Sequence, residues 1–252
     1  MLPVAVIAFV GPFVSPHDPT DLLSSPYASP TRAYPLGTDT LGRDVLSQLL
    51  CGGLDLLLEA MIATLLGVGL AVILGMLLGT SSSRASGFAL RVNDTLLALP
   101  QIVLALLVLT RIGPSVAALV LVVAAFHVPQ TTRVIRAATL GVAQEDFVQS
   151  AEVIGMSRGR ILFFEILPNI TAPVFVELGI RLAISTVTLA SLGYLGFTGA
   201  QTDWGRMVYE NQGGLTIQPW AVLAPAAAIA VFLIGMNLIS DGLARASGAR
   251  GT

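Results

Sequence analysis

The sequence has 252 residues, of which 54% are hydrophobic and only 11% are charged, about half the charged fraction of an average soluble domain. With a mean hydropathy of +0.83, this composition excludes a water-soluble globular protein and indicates a single integral membrane domain. All thirteen basic residues are arginine and the net charge is -2, which argues against a nucleic-acid partner. The single cysteine, Cys51, excludes an intrachain disulfide and a cysteine-based metal cluster.

The N-terminal region predicts a short apolar segment followed by an external loop. Residues 2–14 are apolar but, at 13 residues, too short to cross a bilayer. They are a truncated span, an incomplete start or a signal-like segment, and no small-residue cleavage site follows them. Residues 15–35 contain five of the fourteen prolines, which predicts an extended polar loop.

A short helix and a second span are predicted next. Thr38 or Asp39 is suited to cap a helix within residues 35–50, and the span itself is predicted at about residues 54–79. Glu59 then either points into the protein or shows that the span begins later, because a carboxylate in lipid costs roughly 2–3 kcal/mol. Four glycines in this span favour close helix approach over a nucleotide-binding loop: Gly67, Gly69, Gly75 and Gly79.

The third and fourth spans are predicted at about residues 88–110 and 114–129. The third contains Asp94 and Pro100. Only three residues join the two spans, so they are expected to pack as antiparallel neighbours. His127 has no histidine or carboxylate at metal-ligand spacing, which favours a polar contact near a helix end over a metal site.

The longest polar interruption of the C-terminal two-thirds covers residues 144–168, called here the 144–168 segment. Residues 144–154 predict an amphipathic helix with Phe147, Ala151 and Ile154 on one face. Gly155 breaks the pattern, Ser157 is suited to cap a second helix, and Pro168 ends it or opens the next span. This arrangement predicts either a compact surface for a partner protein or an ordinary membrane-surface loop.

The fifth span is predicted at about residues 170–195. Its Glu177 and Arg181 lie four residues apart on one helix face, where they either fix helix packing or line a path through the bundle. Residues 198–218 form an external segment in which Trp204, together with the nearby Trp220, is expected at the membrane interface. The sixth span is predicted at about residues 220–238.

The arginines set an orientation for these six spans. Eight arginines fall on the side of the 144–168 segment and four on the other, which favours a cytoplasmic location for that segment and for both termini. The eight are Arg84, Arg91, Arg133, Arg136, Arg158, Arg160, Arg245 and Arg250, and the four are Arg32, Arg43, Arg111 and Arg206.

Three sequence blocks resemble the permeases of ABC importers. The 144–168 segment resembles their cytoplasmic coupling loop, with the pattern Glu-Ala-Ala, three residues, Gly, nine residues, Ile-x-Leu-Pro. The matching positions are Gln149, Ser150, Ala151, Gly155, Leu167 and Pro168. Gln149 replaces the pattern's acidic residue, which removes one charge, and Glu165 stands at its isoleucine position.

The other two blocks narrow the resemblance to the dipeptide, oligopeptide and nickel branch, as the C-type permease of the pair. One resembles Leu-Gly-Thr-Asp-x-x-Gly-Arg-Asp, with Leu36, Gly37, Thr38, Asp39, Gly42, Arg43 and Asp44. The other resembles Ser-Trp-Gly-x-Met, with Asp203, Trp204, Gly205, Arg206 and Met207, where Asp203 replaces the serine.

The resemblance implies an all-α membrane bundle of about six transmembrane helices, with the type I ABC importer permease fold. The whole of residues 1–252 would be one permease domain: residues 1–34 a first span and external loop, 35–245 the core, and 246–252 a cytoplasmic tail. Such a permease lies in the bacterial cytoplasmic membrane in contact with lipid. It forms half of a peptide translocation pathway.

The resemblance also implies partners and roles for the marked residues. The partners would be a second homologous permease, two cytoplasmic ATPase subunits or domains that bind ATP and Mg²⁺, and an extracytoplasmic peptide-binding protein. Asp203, Trp204 and Arg206 would contact that binding protein. The ATPase would dock on Gln149, Ser150, Ala151, Gly155, Met156, Ser157, Arg158, Leu167 and Pro168.

The chain itself has no phosphate-binding loop and no lysine, so ATP hydrolysis is expected in the partners, and no cofactor or metal is expected in this chain. Three alternatives stay open at this point. One is an importer of nickel or another small solute. The second is an ion-coupled secondary transporter that uses Glu59, Asp94, Glu177 and Arg181, although no internal repeat is visible. The third is a membrane scaffold.

Overall fold

The computed structural model describes residues 2–81, 84–199 and 202–248, and about three-quarters of the chain is helical, the longest non-helical stretch being residues 15–44. Among the described residues the only β pairing is an isolated bridge between Thr38 and Asp44. The helices are α1 (Leu2–Val14), α2 (Val45–Gly79), α3 (Arg84–Leu97), α4 (Gln101–Ile112), α5 (Val116–Val142), α6 (Asp146–Val153), α7 (Arg158–Arg160), α8 (Leu167–Asn169), α9 (Thr171–Tyr194), α10 (Trp204–Asn211) and α11 (Trp220–Gly248). Arg250 and the end of the predicted tail lie outside the described residues.

In the described part of the chain, four helices are long and apolar enough to cross a membrane: α2, α5, α9 and α11. Helices α3 and α4 count as a fifth span only if taken together, because they meet at 89°. The region predicted as the third span is therefore two helices that bend at Pro100. Pro100 lacks a backbone N–H and disfavours helical geometry in the residue before it. Helix α3 therefore ends at Leu97, and α4 begins at Gln101.

Two predicted boundaries also change. No separate helix is capped by Thr38 or Asp39; Asp44 caps α2, which then runs without a break from Val45 to Gly79. The fourth span continues beyond Pro129 to Val142. Both helices continue through residues that a sequence pattern treats as helix ends. These are polar residues in α2 and Pro129 in α5, and packing against neighbouring helices holds the helical geometry there.

Helix α2 is the centre of the bundle and packs against α5, α9 and α1. Glycines make its contact with α5 close. A Cβ atom on Gly67 would lie 2.5 Å from the Ala124 carbonyl oxygen, and one on Gly75 would lie 2.7 Å from Ile135 Cβ. The prediction of close helix approach is confirmed for Gly67, Gly75 and Gly79, whereas Gly69 faces open space.

Buried apolar side chains form two clusters at opposite ends of the bundle. The Trp204 cluster includes Leu56 and Leu57 of α2, Leu119 of α5 and Leu192 of α9. The Ile166 cluster includes Val68, Val72, Met76, Ile135, Val148, Ala151, Ile161, Leu162, Ile166 and Ile170. A layer of buried polar side chains lies between the clusters along each helix. This polar layer consists of Thr64, His127, Thr131, Glu177, Arg181 and Ser185.

Candidate functional site

The first half of the 144–168 segment is an amphipathic helix, but its buried face differs from the predicted one. Val148 and Ala151, three residues apart, are buried in the Ile166 cluster. Phe147 is 43% exposed and Ile154 is 75% exposed. Helix α6 ends at Val153, so Ile154 no longer follows its helical periodicity, and the predicted face was wrong at two of its three positions.

Gly155 makes the turn that the sequence predicts. Its φ of +81° lies in the left-handed region, where glycine adopts the backbone without a Cβ clash. The Met156 N–H donates to the Ala151 carbonyl at 3.1 Å, and the Gly155 N–H donates to the Glu152 carbonyl at 3.0 Å. These two bonds form a Schellman motif, which satisfies the last carbonyls of α6 and turns the chain sharply.

The second half of the segment runs into α9 almost without interruption. Helix α7 passes into a π-helical turn at Ile161–Ile166, which continues as α8 and then α9. Ser157 stands at the N-cap position, but its side chain makes no capping hydrogen bond. Pro168 lies within the first turn of α8 and does not end the helical path. The segment is therefore mechanically continuous with a long bundle helix.

Most of the positions that resemble a coupling loop face outward. Ala151 is buried, Met156 and Leu167 are half-buried, and the others are exposed: Gln149, Ser150, Gly155, Ser157, Arg158 and Pro168. Between the segment and the ends of α2 and α5 lies a hollow of about 220 Å³ whose charged lining residues are Glu152 and Arg158. The structure thus brings these positions together on one accessible surface.

The block at residues 35–44, in contrast, is folded on itself by hydrogen bonds. The buried Asp39 carboxylate accepts hydrogen bonds from Arg43 Nε at 2.6 Å and from Gln48 Nε2 at 2.9 Å. Asp44 accepts from the Ser47 N–H at 3.2 Å and the Ser47 hydroxyl at 2.6 Å, which caps α2. The block therefore builds the start of α2.

Helix α10 is tied to this block through Glu210. Arg43 Nη2 and Arg206 Nε each donate to a different oxygen of Glu210, both at 2.6 Å. Burial acts to lower the pKa of Arg43, but its contacts with Glu210 and Asp39 outweigh burial and raise the pKa above its usual value. Four-residue spacing from Arg206 was the sequence signal that could have identified Glu210.

Trp204 was predicted at the membrane interface and in contact with an external protein, and its position in the structure argues against both. The side chain is fully buried, and its Nε1–H donates to the Leu49 carbonyl at 2.8 Å. Asp203 is buried as well, and it caps α10 by accepting from the Arg206 N–H at 2.9 Å. Of the three predicted contact residues, only Arg206 reaches the surface appreciably, whereas Trp220 is 48% exposed, as an interfacial anchor would be.

The polar layer joins three helices. Arg181 Nε donates to Glu177 Oε2 at 2.9 Å, and the Thr131 hydroxyl donates to the same oxygen at 2.8 Å. Arg181 also donates to Gln130. Both members of the pair are buried within this one chain, which favours helix packing over an exposed path lining.

His127 completes the layer. Its Nε2 lies 2.6 Å from the Ser185 hydroxyl, which lies 2.8 Å from the Thr64 hydroxyl. His127 sits in the middle of α5, so the predicted helix-end position was wrong because the helix is longer than predicted. No cluster of three metal-binding side chains occurs in the described residues.

The two remaining carboxylates that the sequence singled out differ in burial. Glu59 is buried, which confirms its inward orientation, and α2 begins before it rather than after it. Asp94 is 55% exposed and pairs with Arg133 at 3.4 Å on the surface.

Comparison with known proteins decides the family. Residues 71–250 match the family described as "Binding-protein-dependent transport system inner membrane component". The chain belongs to this family. It is therefore a transport permease, and the amphipathic 144–168 segment, bent at Gly155, belongs to a component of a larger transport system.

Relatives of this permease extend along nearly the whole chain. The dipeptide transport system permease protein DppC of Haemophilus influenzae is 33% identical over 96% of this chain and 85% of its own length. The di/tripeptide permease DppC of Pseudomonas aeruginosa is 31% identical over 96% and 83%. The glutathione transport system permease GsiD of Pectobacterium atrosepticum is 33% identical over 96% and 82%.

Solved structures show the same fold at lower identity. The permease resembles a chain of the inward-facing MetNI methionine ABC transporter with a TM-score of 0.66 and 15% identity, over 79% of this chain and 95% of that one. It resembles a chain of an amino acid ABC transporter with a TM-score of 0.51 and 19% identity, over 75% and 90%. The predicted all-α type I importer permease fold is confirmed.

Proposed function

We propose that this permease is one of two membrane subunits of an ATP-driven importer of short peptides, and that the 144–168 segment is its docking site for a cytoplasmic ATPase. The observation that carries the proposal is the division of this segment into an exposed surface and a buried anchor. Gln149, Ser150 and Arg158 face outward, while Ile161 and Ile166 are buried between the ends of α2, α5 and α9.

This division supports a mechanical role. A partner that tilts the exposed face moves the buried anchor with it, because packed apolar side chains transmit displacement as rigid bodies. The π-helical turn and α8 would carry the displacement into α9, which contributes Glu177, Arg181 and Ser185 to the polar layer. Alternating access of the pathway would then follow ATP binding and hydrolysis in the partner.

ATP and Mg²⁺ belong to the partner subunits in this proposal. The chain lacks lysine and a phosphate-binding loop, so it supplies neither of the usual phosphate ligands. Peptide as the solute is supported by relatives named as dipeptide, di/tripeptide and glutathione permeases. A second permease would complete the pathway, and an extracytoplasmic binding protein would deliver the peptide.

We place the 144–168 segment and both termini in the cytoplasm. The predicted excess of arginine on that side, eight against four, supports this orientation. Residues 15–44 and α10 then lie outside, with the whole chain forming one permease domain.

Affinity purification of the tagged chain in mild detergent is the direct test. The expected result is recovery of a second multi-span permease with ATPases that contain phosphate-binding loops, and import of a dipeptide by the reconstituted complex that depends on ATP. Recovery of the chain alone, with transport driven by an ion gradient, would overturn the proposal. Import of nickel ions instead of dipeptide would support an ATP-driven importer but would contradict peptide as its solute.

A glycine comparison tests the docking site itself. Gly155→Val places a β-branched residue at φ +81° and distorts the turn, whereas Gly141→Val lies in α5, outside the segment, with open space around it. We expect Gly155→Val, and the stronger Gly155→Pro, to separate ATP hydrolysis from transport while membrane insertion stays normal. Gly141→Val should transport as the parent does. Normal coupled transport by both Gly155 variants would remove the docking role.

A further inference from the structure

Helix α3 carries an apolar stripe that the protein core does not cover. Phe88, Val92 and Leu96 lie four residues apart on one face, and they are 71%, 43% and 48% exposed. Helix α3 meets α4 at 89° and crosses the flank of α2 and α5. An apolar stripe in this position lies against something other than the bundle.

An open groove of about 550 Å³ runs between this stripe and the bundle. Its lining on α2 comes from Leu70, Leu74 and Leu78. The first and last of these lie eight residues apart, which is about 12 Å at the rise of an α-helix. The lining is almost wholly apolar. Thr132 of α5 also lines it, and its buried hydroxyl has no hydrogen-bond partner in the structure.

A second cavity of about 370 Å³ continues the groove toward the 144–168 segment. The two cavities share Leu78 and Ala89, so they form one elongated depression. The lining of the second cavity changes character, with the hydroxyl residues Thr80, Ser81 and Ser86 and the guanidinium of Arg158. Arg158 is exposed and makes no ion pair among the described residues.

We propose that this depression binds one anionic glycerophospholipid from the leaflet on the side of the 144–168 segment. One acyl chain lies in the groove between α2 and α3, and the phosphate lies against Arg158. Shape and charge together point to this occupant, because an apolar trough leads to the exposed guanidinium of Arg158 on the side of the 144–168 segment. An apolar helix of a partner would leave the cationic end without a counter-charge.

The site has a consequence for transport, because Arg158 belongs to the 144–168 segment. A lipid phosphate held there links the segment to α3 and to the bilayer. The bound lipid would then bias the position of the exposed docking surface. The lipid site does not rest on that surface contacting an ATPase, and each can be tested without the other.

Native mass spectrometry of the full chain in detergent, titrated separately with dioleoylphosphatidylglycerol and dioleoylphosphatidylcholine, tests the site. We expect one phosphatidylglycerol to be retained at least about fivefold more strongly than phosphatidylcholine. Arg158→Gln should remove this preference, and Ala89→Trp, which fills the junction of the two cavities, should abolish retention of both lipids. Two matched controls should behave as the parent: Arg160→Gln, an exposed arginine outside both cavities, and Ala117→Trp, an exposed alanine on α5.

Three outcomes would overturn the proposal. Equal retention of both lipids that Arg158→Gln leaves unchanged would mean ordinary annular lipid. Displacement of phosphatidylglycerol by inorganic phosphate at equal concentration would mean an anion site without a role for the groove. A photoreactive residue at position 89 that cross-links to another protein in intact membranes, and not to lipid, would assign the groove to a protein neighbour.

Discussion

The block at residues 35–44 with α10, and the 144–168 segment, both resemble permeases of ABC importers, yet they are built in opposite ways. In the first region Asp39, Asp44 and Trp204 are fully buried, and Arg43 and Arg206 converge on Glu210. In the second, the described residues take part in no ion pair, and most of the matching positions are exposed.

The difference shows what each sequence block is for. Polar groups that are paired within a block fix the shape of that block, and few of its donors and acceptors then remain for contact with a partner. The 35–44 block is thus a folding element that joins α2 to α10. The 144–168 segment is held by one buried apolar face, and its polar residues and several apolar residues are exposed, as the proposed docking role requires.

The largest difference between the regions should appear on truncating their large side chains. Trp204→Ala removes a fully buried indole and its hydrogen bond, so it should lower the free energy of unfolding by about 4 kcal/mol. Trp220→Ala, at 48% exposure, is the matched control and should lower it by about 1 kcal/mol or less. Unfolding by sodium dodecyl sulfate in mixed micelles measures both, and equal losses would contradict the buried role.

The polar layer between the two regions should respond next. Arg181→Ala leaves the Glu177 carboxylate buried with only the Thr131 hydroxyl, and should destabilise the bundle by about 3 kcal/mol. Removing both charges in the double variant Glu177→Ala, Arg181→Ala should recover part of this loss. A double variant no more stable than Arg181→Ala would show that the two side chains are not coupled.

Glu210→Gln tests the link between the 35–44 block and α10. The loss of the shared carboxylate should cost about 2 kcal/mol, because two charge-assisted hydrogen bonds are weakened. Glu152→Gln, the same substitution on the exposed surface of the 144–168 segment, should change stability by less than about 0.5 kcal/mol.

The pH dependence of this link follows from Arg43. A cation with a raised pKa stabilises the fold at low pH, and that stability is lost only as the pH rises through the raised pKa. Between about pH 7 and pH 10 the guanidinium stays charged, so the stability difference between Glu210→Gln and the parent should be constant. A difference that vanished below pH 10 would contradict an ion pair at Arg43.

The smallest effect on stability is expected at Ile154. Its side chain is 75% exposed, so Ile154→Ser should change the free energy of unfolding by less than about 0.5 kcal/mol. It should nevertheless reduce the amount of ATPase that co-purifies. Ile217→Ser, at 66% exposure at the other end of the molecule, is the control that should leave co-purification unchanged. Equal recovery of ATPase with both variants would remove Ile154 from the docking surface.

Much of the architecture could be predicted because it depends on local rules. Apolar runs located the cores of α2, α5, α9 and α11, and Gly155 identified the turn, since only a few residues adopt its backbone conformation. The four-residue spacing of Glu177 and Arg181 predicted their ion pair.

Long-range packing determined what the sequence could not show. Asp44 rather than Thr38 or Asp39 caps α2, because Asp39 is engaged by Arg43 and Gln48. Tryptophan is a residue type that is common at the membrane interface, so the sequence alone suggests that position for Trp204. Its contacts with Gly53 and Leu49 place it in the core instead. The partners of the polar layer come from separate helices, and no pattern within one helix pairs Ser185 with His127.

The charges on α9 have a consequence for membrane insertion. A helix that carries a carboxyl group and a guanidinium in its first half enters lipid poorly alone, since an isolated charge near the middle of a helix opposes insertion by roughly 2.5–3.5 kcal/mol. The residues that accept or donate to these charges, Gln130 and Thr131, lie on α5, which the ribosome completes earlier. We therefore expect α9 to insert more efficiently when α5 already lies in the membrane and supplies these hydrogen-bond partners.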